Sequence, residues 1–400
     1  MTRLFACAIM KRTGGVFMGE KLFDTVDRLN SEFVSFWLKL ANIESPTDYK
    51  QGIDAAGRLF SDFAKKRNWH VEVVPRDTAG DTVCITMNRE SQNRPITLSG
   101  HLDTVHPVGS FGNPAAKIKD GIIYGPGVMD CKGGTVAALL AMTALDEIGF
   151  RSRPIQLILQ TDEEESSMPS NKATIAYMCR KAEHSLAFLN CESIRGNTAV
   201  LWRKGICRYE FSVTGKTIHA SRCVEGASAV REAAYKIIEL EKMKDTDGVT
   251  CNCGLIEGGT AANTVPEKCK FIAEIRFNNN EEWKKAEEAV YKTAQTAFVN
   301  GTSCTVSRQC SRPAMEKTER NFELLKRMNE IYEKTGLPVL TPRQSLGGSD
   351  AAEITCAGIP CVDSIGVAGD KIHTRDEYAI VSSLAEAAKR IAAVCMYLQN

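Results

Sequence analysis

Five stretches of the chain place histidines or carboxylates just after apolar, strand-like runs: His101-Leu102-Asp103, Asp130-Cys131-Lys132-Gly133-Gly134, Asp162-Glu163-Glu164, Glu192 and His373. The ends of such strands are where an α/β sheet exposes side chains to a crevice. Neutral imidazoles and carboxylates, with no thiolate required, suit borderline-hard divalent cations. Asp130, Glu164 and Glu192 offer three negative charges against the four positive charges of two such ions, whereas one ion would leave surplus carboxylate. A pair of ions lowers the pKa of a shared water, polarises a carbonyl and stabilises a tetrahedral oxyanion. Glu163 and Glu164 project differently from an extended or turning backbone. Glu164 therefore reads as a metal ligand, and Glu163 as the general base that takes a proton from water and passes it to a leaving amine. Asp103, two residues after His101, suits a partner that orients the imidazole.

Taken singly, each residue has a plainer reading. Asp162-Glu163-Glu164-Glu165 is a solvated acidic turn, Asp130 a helix N-cap, His101 or His373 a hydrogen-bonded structural histidine, and Glu192 a surface carboxylate. The set carries the metal reading. His70, His106 and His184 fall outside it, and Pro107 marks His106 as a rim residue.

The elements that must hold these groups follow from periodicity. Leu22, Val26, Leu29, Phe33, Phe36, Trp37 and Leu40 recur at threes and fours, which predicts a helix over Lys21 to Leu40. A second helix is expected from Gln51 to Lys66, strands at His70 to Val74, Val83 to Met87, Ile96 to Leu98 and Ile155 to Leu159, and an Ala-rich helix from Gly133 to Ile148. Near residue 205 the order changes to strand, helix, strand, strand, helix, strand: Arg208 to Thr214, Ala227 to Lys242, Thr250 to Ile256, Cys269 to Arg276, Asn280 to Phe298 and Ser303 to Arg308. That order suits a small antiparallel sheet with two helices on one face. A final helix is expected from Ser382 to Leu398. The chain therefore reads as α/β, a mixed central sheet with helices on both faces, at 19–203 and 312–400, interrupted by an α+β insert at 204–311.

Composition excludes several classes. Fifty Lys plus Arg against 49 Asp plus Glu, a net charge of +1, provide no global field for nucleic acid or an anionic membrane. No apolar run approaches the roughly 18 residues of a membrane span. Fifteen cysteines, an odd number in an enzyme-sized chain, read as reduced thiols of a cytoplasmic protein, with Cys251 and Cys253 in a strand. The apolar run Leu4 to Met10 is too short for a signal peptide, and Met18-Gly19-Glu20-Lys21 suggests a translation start at Met18 rather than Met1.

Ser99-Gly100-His101-Leu102-Asp103-Thr104-Val105, Tyr124-Gly125-Pro126-Gly127-Val128-Met129-Asp130-Cys131-Lys132-Gly133-Gly134 and Thr161-Asp162-Glu163-Glu164 resemble successive signatures of metallopeptidase family twenty. The resemblance continues through Gly215 to Ala220, Gly258 to Pro266 and Gly347 to Ala352, covering about residues 95 to 380. The family includes glutamate carboxypeptidase, acetylornithine deacetylase, succinyl-diaminopimelate desuccinylase and peptidase T, with the first branch nearest. It implies a catalytic domain of zinc exopeptidase type and a ferredoxin-like insert that pairs two subunits. It also implies one ion on His101 and Glu192, a second on Glu164 and His373, Asp130 bridging, and a cis Asp130-Cys131 peptide. Zinc is the family's usual metal, and cobalt or manganese would suit the same donors. His219 is implied to stabilise the oxyanion in the partner's site, with Asn263, Arg276 and Gly348 binding substrate. For Arg276 the plainer reading is an edge-strand arginine. Cys131, beside a ligand, reads as an oxidation-sensitive thiol.

The expected activity is hydrolysis of an amide in a small substrate with a free carboxylate, releasing a C-terminal amino acid or removing an N-acyl group. An inactive relative serving as a binding module is the alternative, and full retention of the donors and Glu163 weighs against it. A single-domain aminopeptidase is a third reading, disfavoured by the insert carrying His219 and Asn263.

Overall fold

A computed structural model of the chain describes residues 2–399, with side chains described over 19–399. The expected start at Met18 lies outside the described side chains. The chain forms two compact units: Met1–Leu201 with Lys317–Gln344 and Glu353–Asn400, and Trp202–Glu316 with Ser345–Ala352.

The first unit is built on a mixed eight-stranded sheet. Its order is His70–Val74, Thr82–Met87, Ile155–Gln160, Ile96–His101, Ala187–Asn190, Cys361–Asp363, Thr198–Arg203 and Thr341–Ser345. Every residue of Thr82–Met87 and Ile96–His101 is buried, so the sheet centre is covered on both faces. This explains why these strands read as continuous apolar runs rather than alternating ones. The helices Thr2–Ala41, Lys132–Glu147 and Ser383–Tyr397 pack on one another. Leu22, Val26, Leu29, Phe33, Trp37 and Leu40 form the buried stripe of the first helix, as its periodicity predicts. Periodicity did not reveal the helix Ala173–Ala182 or the strand Thr198–Arg203. A small antiparallel sheet of Gly369–Asp370, Tyr378–Ile380, Ile122–Tyr124 and Lys117–Lys119 completes the unit.

The second unit has the chain order β-α-β-β-α-β and the spatial order Thr250–Gly258, Lys268–Phe277, Gly205–Thr214, Ser303–Arg312, a ferredoxin-like arrangement. One face of the sheet, carrying Tyr209, Phe211, Phe271, Ile275 and Phe277, packs on Ala229, Ala233, Val290 and Ala294 of two helices. The helix expected over Asn280 to Phe298 ends at Gln295. The cause is a buried ion pair on the neighbouring helix Ala229–Leu240. Lys236 Nζ donates to the carbonyls of Thr293, Ala294 and Thr296 at 2.7, 3.1 and 2.6 Å. Glu232, 2.9 Å from Lys236, accepts from the N–H groups of Phe298 and Val299. The pair thus takes up the backbone groups that a continued helix would have bonded internally.

Lys236→Met leaves the Glu232 carboxylate buried without its cation, and chemical denaturation should report a loss of about 3 kcal/mol or more. Burial pushes the Glu232 carboxyl up, but Lys236 and the Phe298 and Val299 amides outweigh it and hold the group below its usual value of 4.5. The stabilisation is therefore complete above pH 4.5 and lost as pH falls through the lower folded value. The wild type should lose stability on acidification in that window, and Glu232→Gln should flatten the loss.

No helix among the described residues is long and apolar enough to cross a membrane. The described cysteines are all free thiols, with Cys251 and Cys253 on the strand Thr250–Gly258 as expected.

Candidate metal centre

Three adjacent strands of the large sheet run parallel and end together. Ile96–His101 pairs in parallel with Ile155–Gln160 on one side and with Ala187–Asn190 on the other. His101 terminates the first, Glu163 and Glu164 follow the second, and Glu192 follows the third. Residues far apart in sequence thus lie one strand spacing apart, about 4.8 Å. Asp130 sits in the turn before the helix Lys132–Glu147, across a cis peptide to Cys131. His373 stands in a loop with φ +61°, in the left-handed region, as does Lys371 before it. Such a conformation costs a non-glycine residue energy and persists where the surroundings impose it.

The side chains converge. Asp130 Oδ1 lies 3.1 Å from His101 Nε2, and Asp130 Oδ2 lies 3.3 Å from His373 Nε2. Glu192 Oε1 is 3.6 Å from His101 Nε2, and Glu164 Oε2 is 3.3 Å from His373 Nε2. His101, Asp130 and Glu164 offer donor atoms within 4.8 Å of one another, as do His101, Cys131 and Glu192. Burial, then repulsion from Asp130, pushes the carboxyl groups of both Glu164 and Glu192 up. Hydrogen bonds donated to Asp130 and Glu164 raise the His373 imidazole to about 10. Buried carboxylates that repel one another create a demand for positive charge. Two imidazoles alone meet it poorly, and oxygen- and nitrogen-binding divalent cations would meet it well.

Asp103 is fully buried and ties two parts of the centre together. Its carbonyl oxygen lies 2.9 Å from His101 Nδ1 and its Oδ1 3.4 Å from the same atom. Its carboxylate also accepts from Glu163 N and Glu164 N, both at 3.1 Å, and from the Thr47 hydroxyl at 2.9 Å. The orientation of the imidazole and the turn carrying both glutamates therefore depend on one residue, through its carbonyl and its carboxylate respectively.

Two readings need correction. His106 is buried, not a rim residue: its Nε2 lies 3.1 Å from Glu377 Oε2, and its ring stands edge-on to Phe111. Glu377, also buried, accepts from Gly127 N at 3.0 Å, Met129 N at 2.9 Å and Asp130 N at 3.1 Å. Sequence reasoning missed Glu377; its only signal is a carboxylate four residues after His373, which by itself resembles any surface acid. Cys131 is the second case. Its side chain is fully buried, Sγ donates to Cys191 O at 3.4 Å, and burial pushes the thiol up, so a dissolved oxidant meets no exposed thiolate.

The remaining predicted residues belong to the second unit. His219 is exposed at the start of a short 3₁₀ turn, where Nδ1 accepts from Ser221 N at 3.2 Å. Asn263 O accepts from Ala220 N at 2.8 Å, and His219 bridges to Thr264, so His219 and Asn263 lie side by side. Arg276 pairs with Glu274 at 2.6 Å and donates to Leu346 O at 2.9 Å. A Cβ on Gly348 would approach Arg312 Cδ to 2.8 Å, so only glycine fits there without displacement.

Comparison with known proteins identifies the family. The model of peptidase family M20/M25/M40 matches residues 97–397. Carboxypeptidase G2 of Pseudomonas sp. (strain RS-16) is 27% identical over 353 residues, 86% of this chain and 84% of that protein. Succinyl-diaminopimelate desuccinylase of Wolinella succinogenes is 25% identical over 307 residues, 70% of this chain and 78% of that protein. The crystal structure of aminopeptidase PepT from Bacillus cereus is similar with a TM-score of 0.73 at 25% identity, covering 92% of this chain and 98% of that one. The chain therefore belongs to peptidase family M20/M25/M40, and it is a metal-dependent hydrolase of amide bonds.

Proposed function

We propose that the protein is a two-metal hydrolase that releases a C-terminal amino acid, or removes an N-acyl group, from a small substrate bearing a free carboxylate. The observation that carries the two-metal reading is Asp130, whose two oxygens face different histidines, Oδ1 toward His101 and Oδ2 toward His373. His101 and Glu192 would hold one ion, Glu164 and His373 the other, with Asp130 shared and zinc the favoured metal. When bound, the ions supply Lewis acidity for the scissile carbonyl and positive potential for water activation. Glu163, held by its backbone to Asp103, takes a proton from the attacking water and returns it to the leaving amine.

His219 suits an oxyanion donor. Because Ser221 N–H donates to Nδ1, the neutral ring carries its proton on Nε2. Its exposure is consistent with delivery to a second subunit's site, and a dimer through the second unit is part of this reading. An edge strand that leaves Leu255 and Ile256 exposed at 66% and 53%, and a helix that exposes Ile238 at 62%, supply apolar surface for pairing. Asn263, beside His219, together with Arg276 and Gly348, are the proposed substrate contacts. The carboxylate preference rests on an arginine that forks onto carboxylates and on the relatives' names, carboxypeptidase and desuccinylase.

Two experiments test the reading. Zinc-loaded protein incubated with dipeptides, N-acyl amino acids and acyl-glutamates, with products read by mass, should cleave at least one acid-terminated class, and chelation should abolish it. Cleavage confined to substrates lacking a carboxylate would overturn the substrate assignment. Separately, mixing inactive His219→Ala with inactive Glu163→Gln should restore activity, because a hybrid dimer contains one site with an intact Glu163 and a partner histidine. No restoration despite measured subunit exchange would place His219 outside its partner's site.

A further inference from the structure

A cavity of about 530 Å³ in the first unit takes no part in the chemistry above. Its size lies in the range of small-molecule sites, roughly 300 to 1,000 Å³. Four cations line it, Lys117, Lys119, Lys371 and Arg375, against one carboxylate, Asp376. Asp376 lies 3.7 Å from Lys371, whereas Lys117, Lys119 and Arg375 have no carboxylate partner among the described residues.

One of these cations stands in register with aromatic rings. Lys117 is opposite Tyr124, and Tyr124 is opposite Tyr378, so a cation and two rings form one row across three antiparallel strands. Lys119, two residues along its strand, shares the face of Lys117. The Tyr124 and Tyr378 centroids are 6.1 Å apart, and Phe111 adds a third ring to the wall. Flat apolar faces beside unpaired cations select a ligand that is both planar and multiply charged.

We infer that this pocket binds an aromatic or heteroaromatic polyanion, carrying carboxylate or phosphate groups. Two sources have that chemistry: the part of the hydrolase's own substrate remote from the scissile amide, and a separate anionic effector. Either would act next to the metal donors. Asp376 and Tyr378 flank Glu377, whose carboxylate accepts from Met129 N and Asp130 N.

Calorimetric titration of the zinc-loaded full chain with trimesate, an aromatic tricarboxylate, tests the inference without requiring turnover. Benzoate has the ring with one charge, and tricarballylate has three carboxylates without a ring. Trimesate should bind about tenfold more tightly than either, and the double variant K117Q/K119Q, with an unchanged melting temperature, should lose at least about tenfold of that affinity. Equal binding of trimesate and tricarballylate, or affinity in the double variant within about twofold of wild type, would overturn it. The first result would reduce the lysines to a diffuse charge patch. The second would place the anion on the metal ions instead. With a cleaved substrate in hand, inhibition by trimesate that raises KM alone identifies the pocket as the seat of the substrate's remote part. A change in kcat identifies a separate effector, and both effects should disappear in K117Q/K119Q.

Discussion

Glu163→Gln should lower turnover of every cleaved substrate by about a hundredfold or more while leaving metal content and thermal stability near wild type. The amide has the shape of the carboxylate but cannot accept the proton of the attacking water. Its backbone environment should survive the change, because the turn is fixed by main-chain bonds. Asp103 Oδ1 accepts from the N–H of residue 163 and Oδ2 from that of Glu164, both at 3.1 Å. The separation of roles within the Glu163–Glu164 pair is what the measurement isolates. A variant that keeps the wild-type metal content and loses turnover assigns proton transfer to Glu163, whereas turnover within about tenfold of wild type would assign it elsewhere.

The second large effect is expected at Glu377. Its carboxylate is 1% exposed and receives three backbone N–H groups of the Gly127–Asp130 turn as well as facing His106. Glu377→Gln replaces one acceptor oxygen with an NH₂ that points donors at donors. Each buried N–H left without a partner costs about 1–3 kcal/mol, so the turn should relax rather than keep its geometry. Asp130 rides on that turn and is the donor shared between the two histidines, so metal affinity should fall by roughly 10–100-fold. Titration against a competing chelator reads the affinity, and a thermal melt reads the stability. Loss of stability with unchanged metal affinity would show that Glu377 braces the fold without positioning Asp130.

The candidate metal donors were legible in sequence for a physical reason. A sheet of parallel strands ends at one edge, and residue types placed just after successive apolar runs must therefore meet there. His101, Glu164 and Glu192 are found so, and the motif around Asp130 adds the fourth donor. His373 differs. In sequence it reads as following an apolar run like the others, but it follows a two-residue strand, Gly369–Asp370, in a loop of left-handed backbone, a conformation that no local apolar pattern records.

Local periodicity determined most of the helices and strands, the insertion of a β-α-β-β-α-β unit, and the class of chemistry. Those features depend on residues within a few positions of one another, or on short motifs whose spacing the backbone preserves. The tertiary structure alone decided the rest. His106 became a buried partner of a glutamate 271 positions away, and Glu232 with Lys236 set the end of a helix some 60 residues downstream. The segment Ser345–Ala352 joined the second unit although its neighbours in sequence belong to the first. In each case a buried charge or backbone group found its partner across the fold. Such pairing is enforced by the cost of leaving polar groups dry, a cost that exists only once the chain has folded around them.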